Sequence, residues 1–195
     1  MDIEKLLIIK KNELAPGKGR LLLSEPFMDD FYFGRSVVLL IEHDPDGSFG
    51  LIMNKPVSEK FNDIVGDFPH FDGQVYFGGP VQPDNMFILH TLGNLVEGCI
   101  EILDGLFWGG DLEVVKEQIL LGNVKPDEVR FYMGYSGWEP EQLNSELERN
   151  SWVVTKTTAS MLLETRHAKM WSQFVSQLGS EYKMWNRFPV NPEMN

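Results

Sequence analysis

The stretch Ser36-Val37-Val38-Leu39-Leu40-Ile41-Glu42, followed by His43-Asp44-Pro45-Asp46-Gly47-Ser48 and then Phe49-Gly50-Leu51-Ile52-Met53, decides how this chain folds. Both flanks are continuous apolar runs rich in β-branched residues, the composition of strands. Between them, Pro45 sits early in the turn and Asp46-Gly47 supplies the positive φ that closes a hairpin. A hairpin leaves no room for a crossover helix, so the chain does not open as a βαβ unit.

Outward from the hairpin, Arg20 to Glu25 reads as a strand and Pro26 to Asp30 as a loop. Val57, Phe61, Ile64, Val65 and Phe68 have helical spacing, with Ser58 as the expected cap. Strands are expected at Gln74 to Phe77, Met86 to Leu89, Cys99 to Leu103 and Val129 to Met133, and a helix capped by Asp111 runs to Gly122 and Asn123. After Pro140 the pattern is helical through Leu147, extended over Ser151 to Thr155, and helical again from Ala159 to Leu178. No repeat and no Ser-, Gly- or charge-rich linker divides the chain, so residues 1–195 are expected to form one α+β domain. Its N-terminal extension covers residues 1–18, with a short amphipathic helix in the first dozen, and its irregular tail covers 180–195, docked through aromatics.

The charge balance narrows the classes of function. There are 17 basic and 29 acidic residues, a net charge of −12, and no row of Lys or Arg on a helix. That field repels phosphate polymers and anionic membranes, so direct nucleic-acid binding is disfavoured. No run of about 18 uncharged apolar residues is present, and Met1-Asp2-Ile3-Glu4 does not open a secretory signal, so the cytosol is the expected compartment. Cys99, alone in an apolar stretch, reads as a structural thiol.

Candidate chemistry is sparse. Gly134-Tyr135-Ser136-Gly137-Trp138 lacks the second small residue of a nucleophile elbow, because an indole stands there, and reads as a strand-to-helix turn. Gly78-Gly79-Pro80 lacks the Lys and Ser/Thr of a phosphate loop and reads as a tight turn. Glu42, His43, Asp44 and Asp46 lie close in sequence, but neighbours on a strand face opposite ways, so no metal site is expected. Arg35 and Ser36 enter one hairpin strand, Glu42 and His43 leave it, and Asn54 and Lys55 leave the other. These polar residues could ring a ligand, or Arg35 and Glu42 could form a structural ion pair while Asn54 caps the turn before Pro56.

Three ordered groups of residues now carry a resemblance. Gly19 to Pro26, Asp30 to Phe33 and Arg35 to Leu40 come first, then Glu42-His43 and Gly50 to Pro56. Tyr76 to Val81, Trp108 to Asp111, and Gly134 to Trp138 running to Gln142-Leu143 and Glu146-Leu147 follow. Together they resemble the AlgH/YqgE family of bacterial proteins over residues 19 to 180. Phe31 stands where the family often has proline, and Glu139 and Glu141 replace small residues. The resemblance implies a bent, largely antiparallel mixed sheet forming a flattened pseudo-barrel flanked by helices. Its name is associated with transcriptional regulation of polysaccharide synthesis, but it supplies no catalytic residues and no cofactor.

The reading taken forward is a binding or regulatory module acting through a protein or small-molecule ligand, with Arg35, Glu42, His43, Asn54, Tyr135, Trp138 and Gln142 as its surface. An enzyme alternative casts His43 as general acid/base with Glu42 or Arg35 as partner, and backbone N–H groups near Gly79 or Gly137 as oxyanion donors. A second alternative is an indirect transcriptional regulator. Trp185 and Phe188 leave open a homodimer.

Overall fold

The computed structural model describes residues 14–189, so residues 1–13 of the expected extension and 190–195 of the expected tail lie outside the described residues. Strands β1 (Leu21–Ser24), β2 (Val37–Asp44) and β3 (Gly47–Ile52) come first, then the short helix α1 (Phe61–Ile64). Strands β4 (Val75–Phe77), β5 (Val81–His90), β6 (Cys99–Leu103) and β7 (Leu106–Gly109) precede helix α2 (Leu112–Leu120). Strand β8 (Val129–Trp138), helix α3 (Gln142–Glu148), strand β9 (Trp152–Thr155) and helices α4 (Ala159–Glu164) and α5 (His167–Gln177) complete the order.

The fold is α+β, and among the described residues nine strands run in the order β6-β7-β5-β8-β3-β2-β1-β9 with β4 added on β8. Every pairing is antiparallel except β4 with β8. Because β5 takes one edge of β8, β4 and β3 share the other, the first along Phe131–Met133 and the second along Ser136–Trp138. Among the described residues the sheet is not closed, since β6 and β9 end it. Lys18 donates from Nζ to the Glu101 carbonyl at 3.1 Å, which blunts the β6 edge. Irregular register at Leu40/Glu42, Val81/Met86 and Glu101/Leu103 adds local bend and twist.

The unbroken apolar run of β2 follows from burial on both faces. Val37, Leu39 and Ile41 join a cluster with Leu21, Leu23, Tyr132 and the helical residues Leu162, Trp171 and Phe174. Val38 and Leu40 join Leu22, Ile52, Trp138, Leu143 and Trp152 on the other side. A third cluster, under α1 and α2, gathers Phe61, Phe71, Val115 and Phe131. Each fully buried Leu, Ile or Phe contributes about 1.5–3 kcal/mol, so a strand read by alternation alone would miss half of what holds β2. Among the described residues no helix is long and apolar enough to cross a membrane.

Several expectations are corrected. Gly134 to Trp138 is not a turn but the second half of β8. The helix expected from Ala159 to Leu178 is two helices: Thr165 and Arg166 turn extended at ψ 126 and 129, and Arg130 donates from Nη1 and Nη2 to the carbonyls of Leu162 and Leu163, satisfying the end of α4. Lys60, not Ser58, occupies the cap position of α1, while the Ser58 hydroxyl bonds Glu59. Asp111 does cap α2, accepting from the Glu113 N–H at 2.9 Å. Residues Ser180–Arg187 form 3-10 turns rather than an irregular tail.

His90 is buried at 1% exposure, with Nε2 against the Gly109 carbonyl at 3.1 Å and Nδ1 accepting from the Leu92 N–H at 3.3 Å. Burial holds its imidazole below the usual value, with the Gly109 carbonyl pulling weakly the other way. Folded His90 therefore resists a proton that the unfolded chain accepts near pH 6.5. Stability is full above that pH and falls as pH drops through it, by up to about 1.4 kcal/mol per pH unit for one proton. Urea unfolding at pH 7.5 and 5.5 should show a larger acid loss in the wild type than in His90→Gln; equal losses would refute this account.

Candidate functional site

At the closed end of the β2–β3 hairpin the turn is set by Asp44, whose Oδ1 accepts from the Asp46 N–H at 2.8 Å. The antiparallel register then places Glu42 opposite Phe49 and His43 opposite Ser48, while β8 sets Gly137 beside Phe49 and Trp138 beside Ser48. This juxtaposition opens a cleft of about 420 Å³ whose lining includes Glu42, Asp44, Asp46, Phe49, Tyr135 and Gln142. On the other side of the hairpin tip a second hollow of about 360 Å³ is lined by His43, Asp44, Glu139, Glu141 and Asn144 among others. Strand alternation separates Glu42 from His43 in this way, one on each side.

Of the residues expected to form a surface, Glu42, Tyr135, Trp138 and Gln142 meet in the first cleft, and His43 faces the second. Arg35 and Asn54 do not join them. Arg35 precedes β2 and Glu42 lies near its far end, so seven residues of extended chain put roughly 20 Å between them. The expected Arg35–Glu42 ion pair therefore does not form. Arg35 instead donates from Nη2 to the carbonyls of Phe188 at 2.6 Å and Pro189 at 2.9 Å, with its guanidinium 4.8 Å over Trp171. Asn54 ties the start of β2, accepting from the Val37 N–H at 2.9 Å and donating to the Arg35 carbonyl at 3.0 Å, rather than capping the turn before Pro56.

The cleft wall is firmly held. Trp138 is 6% exposed and donates from Nε1 to Glu146 Oε2 at 2.9 Å, and Trp152 donates to the same oxygen at 2.7 Å. Gln142 donates to Glu146 Oε1 at 2.9 Å and accepts from the Glu139 N–H at 3.0 Å, so its amide braces the lip instead of waiting for a ligand. Glu146 carried no role of its own in the sequence reading; its i+4 spacing from Gln142 was the signal that both share one helix face. Phe49 and Tyr135, ring centroids 4.7 Å apart, supply a half-buried aromatic floor.

Chemically, among the described residues the two hollows are lined by Glu42, Asp44, Asp46, Glu139 and Glu141 with no Lys or Arg. Carboxylates beside aromatic faces favour an organic cation, through charge attraction and cation–π contact. His43 Nδ1 lies 2.8 Å from Ser48 Oγ, a cross-strand pair, but Glu42 is on the opposite side and Arg35 is remote, so the expected acid/base constellation is not assembled. Among the described residues no group of three His, Cys, Asp or Glu is arranged to hold a metal ion.

A family model described as AlgH-like matches residues 21–183. A UPF0301 protein of Bacteroides thetaiotaomicron is 45% identical over 188 residues, covering 96% of this chain and 95% of its own. Another, from Chlorobaculum tepidum, is 40% identical over 182 residues, covering 93% and 96%. The solution structure of the AlgH protein from Pseudomonas aeruginosa superposes with a TM-score of 0.69 at 28% identity, covering 91% of this chain and 97% of that one. The crystal structure of protein DIP2367 from Corynebacterium diphtheriae gives 0.73 at 21% identity, with 90% and 94% covered, a likeness of fold.

Proposed function

The chain belongs to the AlgH-like family, and we propose that it works as a binding module whose cleft at the β2–β3 hairpin tip takes a positively charged organic group. The observation that carries this reading is the meeting of Glu42, Asp44 and Asp46 with the aromatic floor of Phe49 and Tyr135 in one hollow that, among the described residues, no basic side chain lines. A net charge of −12 adds a long-range field of the same sign and speeds the approach of a cation. Any regulatory role passes through that ligand, in the cytosol, and not through contact with DNA, whose phosphates the same carboxylates repel.

Titration of the protein with arginine methyl ester, spermidine and a short Lys-rich peptide tests the reading, followed by NMR shifts and by thermal unfolding. A ligand at a hundred times its Kd adds about 2.7 kcal/mol of stability, an expected rise of about 5–10 °C for a chain of this size. The shifts should centre on Phe49, Tyr135 and the Asp44–Gly47 turn, weaken with salt, and vanish in the double variant Glu42→Gln, Asp46→Asn. Shifts spread evenly over the acidic surface, or none, would sink the proposal.

A further inference from the structure

Residues Ser180–Arg187 form an eight-residue 3-10 segment, longer than such turns sustain unaided because their hydrogen bonds are poorly aligned. What holds this one is a single aromatic face. Tyr182, Trp185 and Phe188 recur every third residue, the period at which 3-10 side chains eclipse. Trp185 stacks parallel on Trp171 of α5 at 6.2 Å and 7°, Tyr182 meets Trp185 edge-on at 5.2 Å, and Phe188 packs on Phe27 at 4.6 Å. The backbone is read as well. Arg35 donates to the consecutive carbonyls of Phe188 and Pro189, and Asn186 donates to the Ser172 carbonyl at 3.1 Å and to Ser176 Oγ at 2.8 Å.

The receptor for this segment is thus assembled from the loop after β1, the entry to β2 and one side of α5. Its ligand is a short linear motif joined to α5 through Leu178 and Gly179, the latter at φ 137 and ψ 177. Trp185 is buried and Phe188 partly buried against their own chain. We propose that Ser180–Pro189 is an exchangeable strap, and that a second copy of this chain can seat the same Tyr-x-x-Trp-x-x-Phe face on the receptor in place of the chain's own.

An exchanged strap makes the contacts of the closed form, so the balance between monomer and dimer is set by the hinge. A short flexible tether gives the strap an effective concentration in the millimolar range, which keeps the intact chain monomeric at ordinary concentrations. Shortening the hinge strains the closed form and leaves the exchanged form unstrained, the usual route to swapped dimers.

The test deletes Gly179 and Ser180 in the full chain and reads mass by light scattering on a sizing column, with circular dichroism for folding. A folded dimer at micromolar concentration, returned to monomer by adding Trp185→Ala, is the expected result. A folded monomer at every concentration overturns the proposal, as does a dimer that survives Trp185→Ala. Should the deletion unfold the chain, the intact protein is refolded from urea at millimolar and micromolar concentration. A slowly dissociating dimer from the concentrated sample alone supports exchange, and monomer from both overturns it.

Discussion

Glu146→Ala should lower the unfolding free energy by about 3 kcal/mol, because one carboxylate accepts from three side chains, two of them nearly buried indoles. Trp138 and Trp152, 6% and 3% exposed, both donate to its Oε2, and Gln142 donates to its Oε1. Hydrogen bonds to a charged acceptor are the strong ones, and a buried donor stripped of its partner costs about 1–3 kcal/mol. Glu146 is only half-buried, so water reaches part of the vacated space and the loss stays below the sum of two such penalties. For a chain of this size the loss corresponds to a melting temperature lower by about 6–12 °C. Glu146→Gln keeps one carbonyl oxygen and should lose about half as much. Urea unfolding followed by tryptophan fluorescence measures both; an alanine variant as stable as the wild type would show that the indole contacts contribute nothing.

That clasp also shows what could be read from residues alone. The hairpin was legible because its signals are local: two apolar runs and an Asp-Gly turn. Strand β7 carried the same kind of signal, Asp104-Gly105 after an apolar run, with Gly105 at φ 73, yet its four residues are too few for a pattern of their own. Arg35, Glu42 and Asn54 looked equivalent because each borders an apolar strand. Only the register decides that Glu42 sits at the hairpin tip while Arg35 and Asn54 sit at the other end. Alternation, by contrast, suffices to place Glu42 and His43 on opposite sides of the strand.

The acids of the cleft were visible in sequence as a turn with Asp44 and Asp46, and Glu139 and Glu141 as departures from the family pattern. Their meeting depends on β3 and β8 lying side by side, with paired residues 86 to 90 positions apart in sequence. No local pattern reports such a pairing. The aromatic floor is hidden for the same reason, since Phe49 and Tyr135 come from those two strands.

Gly79→Ala should be the most damaging single methyl in the chain, and the reason lies in that pairing. A Cβ at Gly79 would fall 2.2 Å from the Tyr135 carbonyl carbon and 2.4 Å from the Ser136 nitrogen, backbone atoms inside β8, and the residue sits at φ 151. The approach is locked from both sides: Ser136 Oγ donates to the Gly78 carbonyl at 3.0 Å, 58 residues away, and the Gly78 N–H donates to the Met133 carbonyl at 2.8 Å. Glycine at 134 and 79 therefore serves backbone contact rather than a turn, which is why the local reading of Gly134 to Trp138 failed. Two controls separate the causes. Gly122 has φ 73 with nothing within 4 Å of an added Cβ, so Gly122→Ala pays only the left-handed penalty of about 1–2 kcal/mol. Gly66 has open space and no such φ, so Gly66→Ala should be neutral within about 0.5 kcal/mol. Gly79→Ala should exceed about 4 kcal/mol and either fail to accumulate as folded protein or melt at least about 10 °C lower. Any folded remnant should also show weakened binding of the cation proposed for the cleft, because the methyl displaces Tyr135 from the cleft floor. Should Gly79→Ala prove as mild as Gly122→Ala, the close approach of Gly79 to β8, and with it the placement of Tyr135 in the cleft, would be wrong.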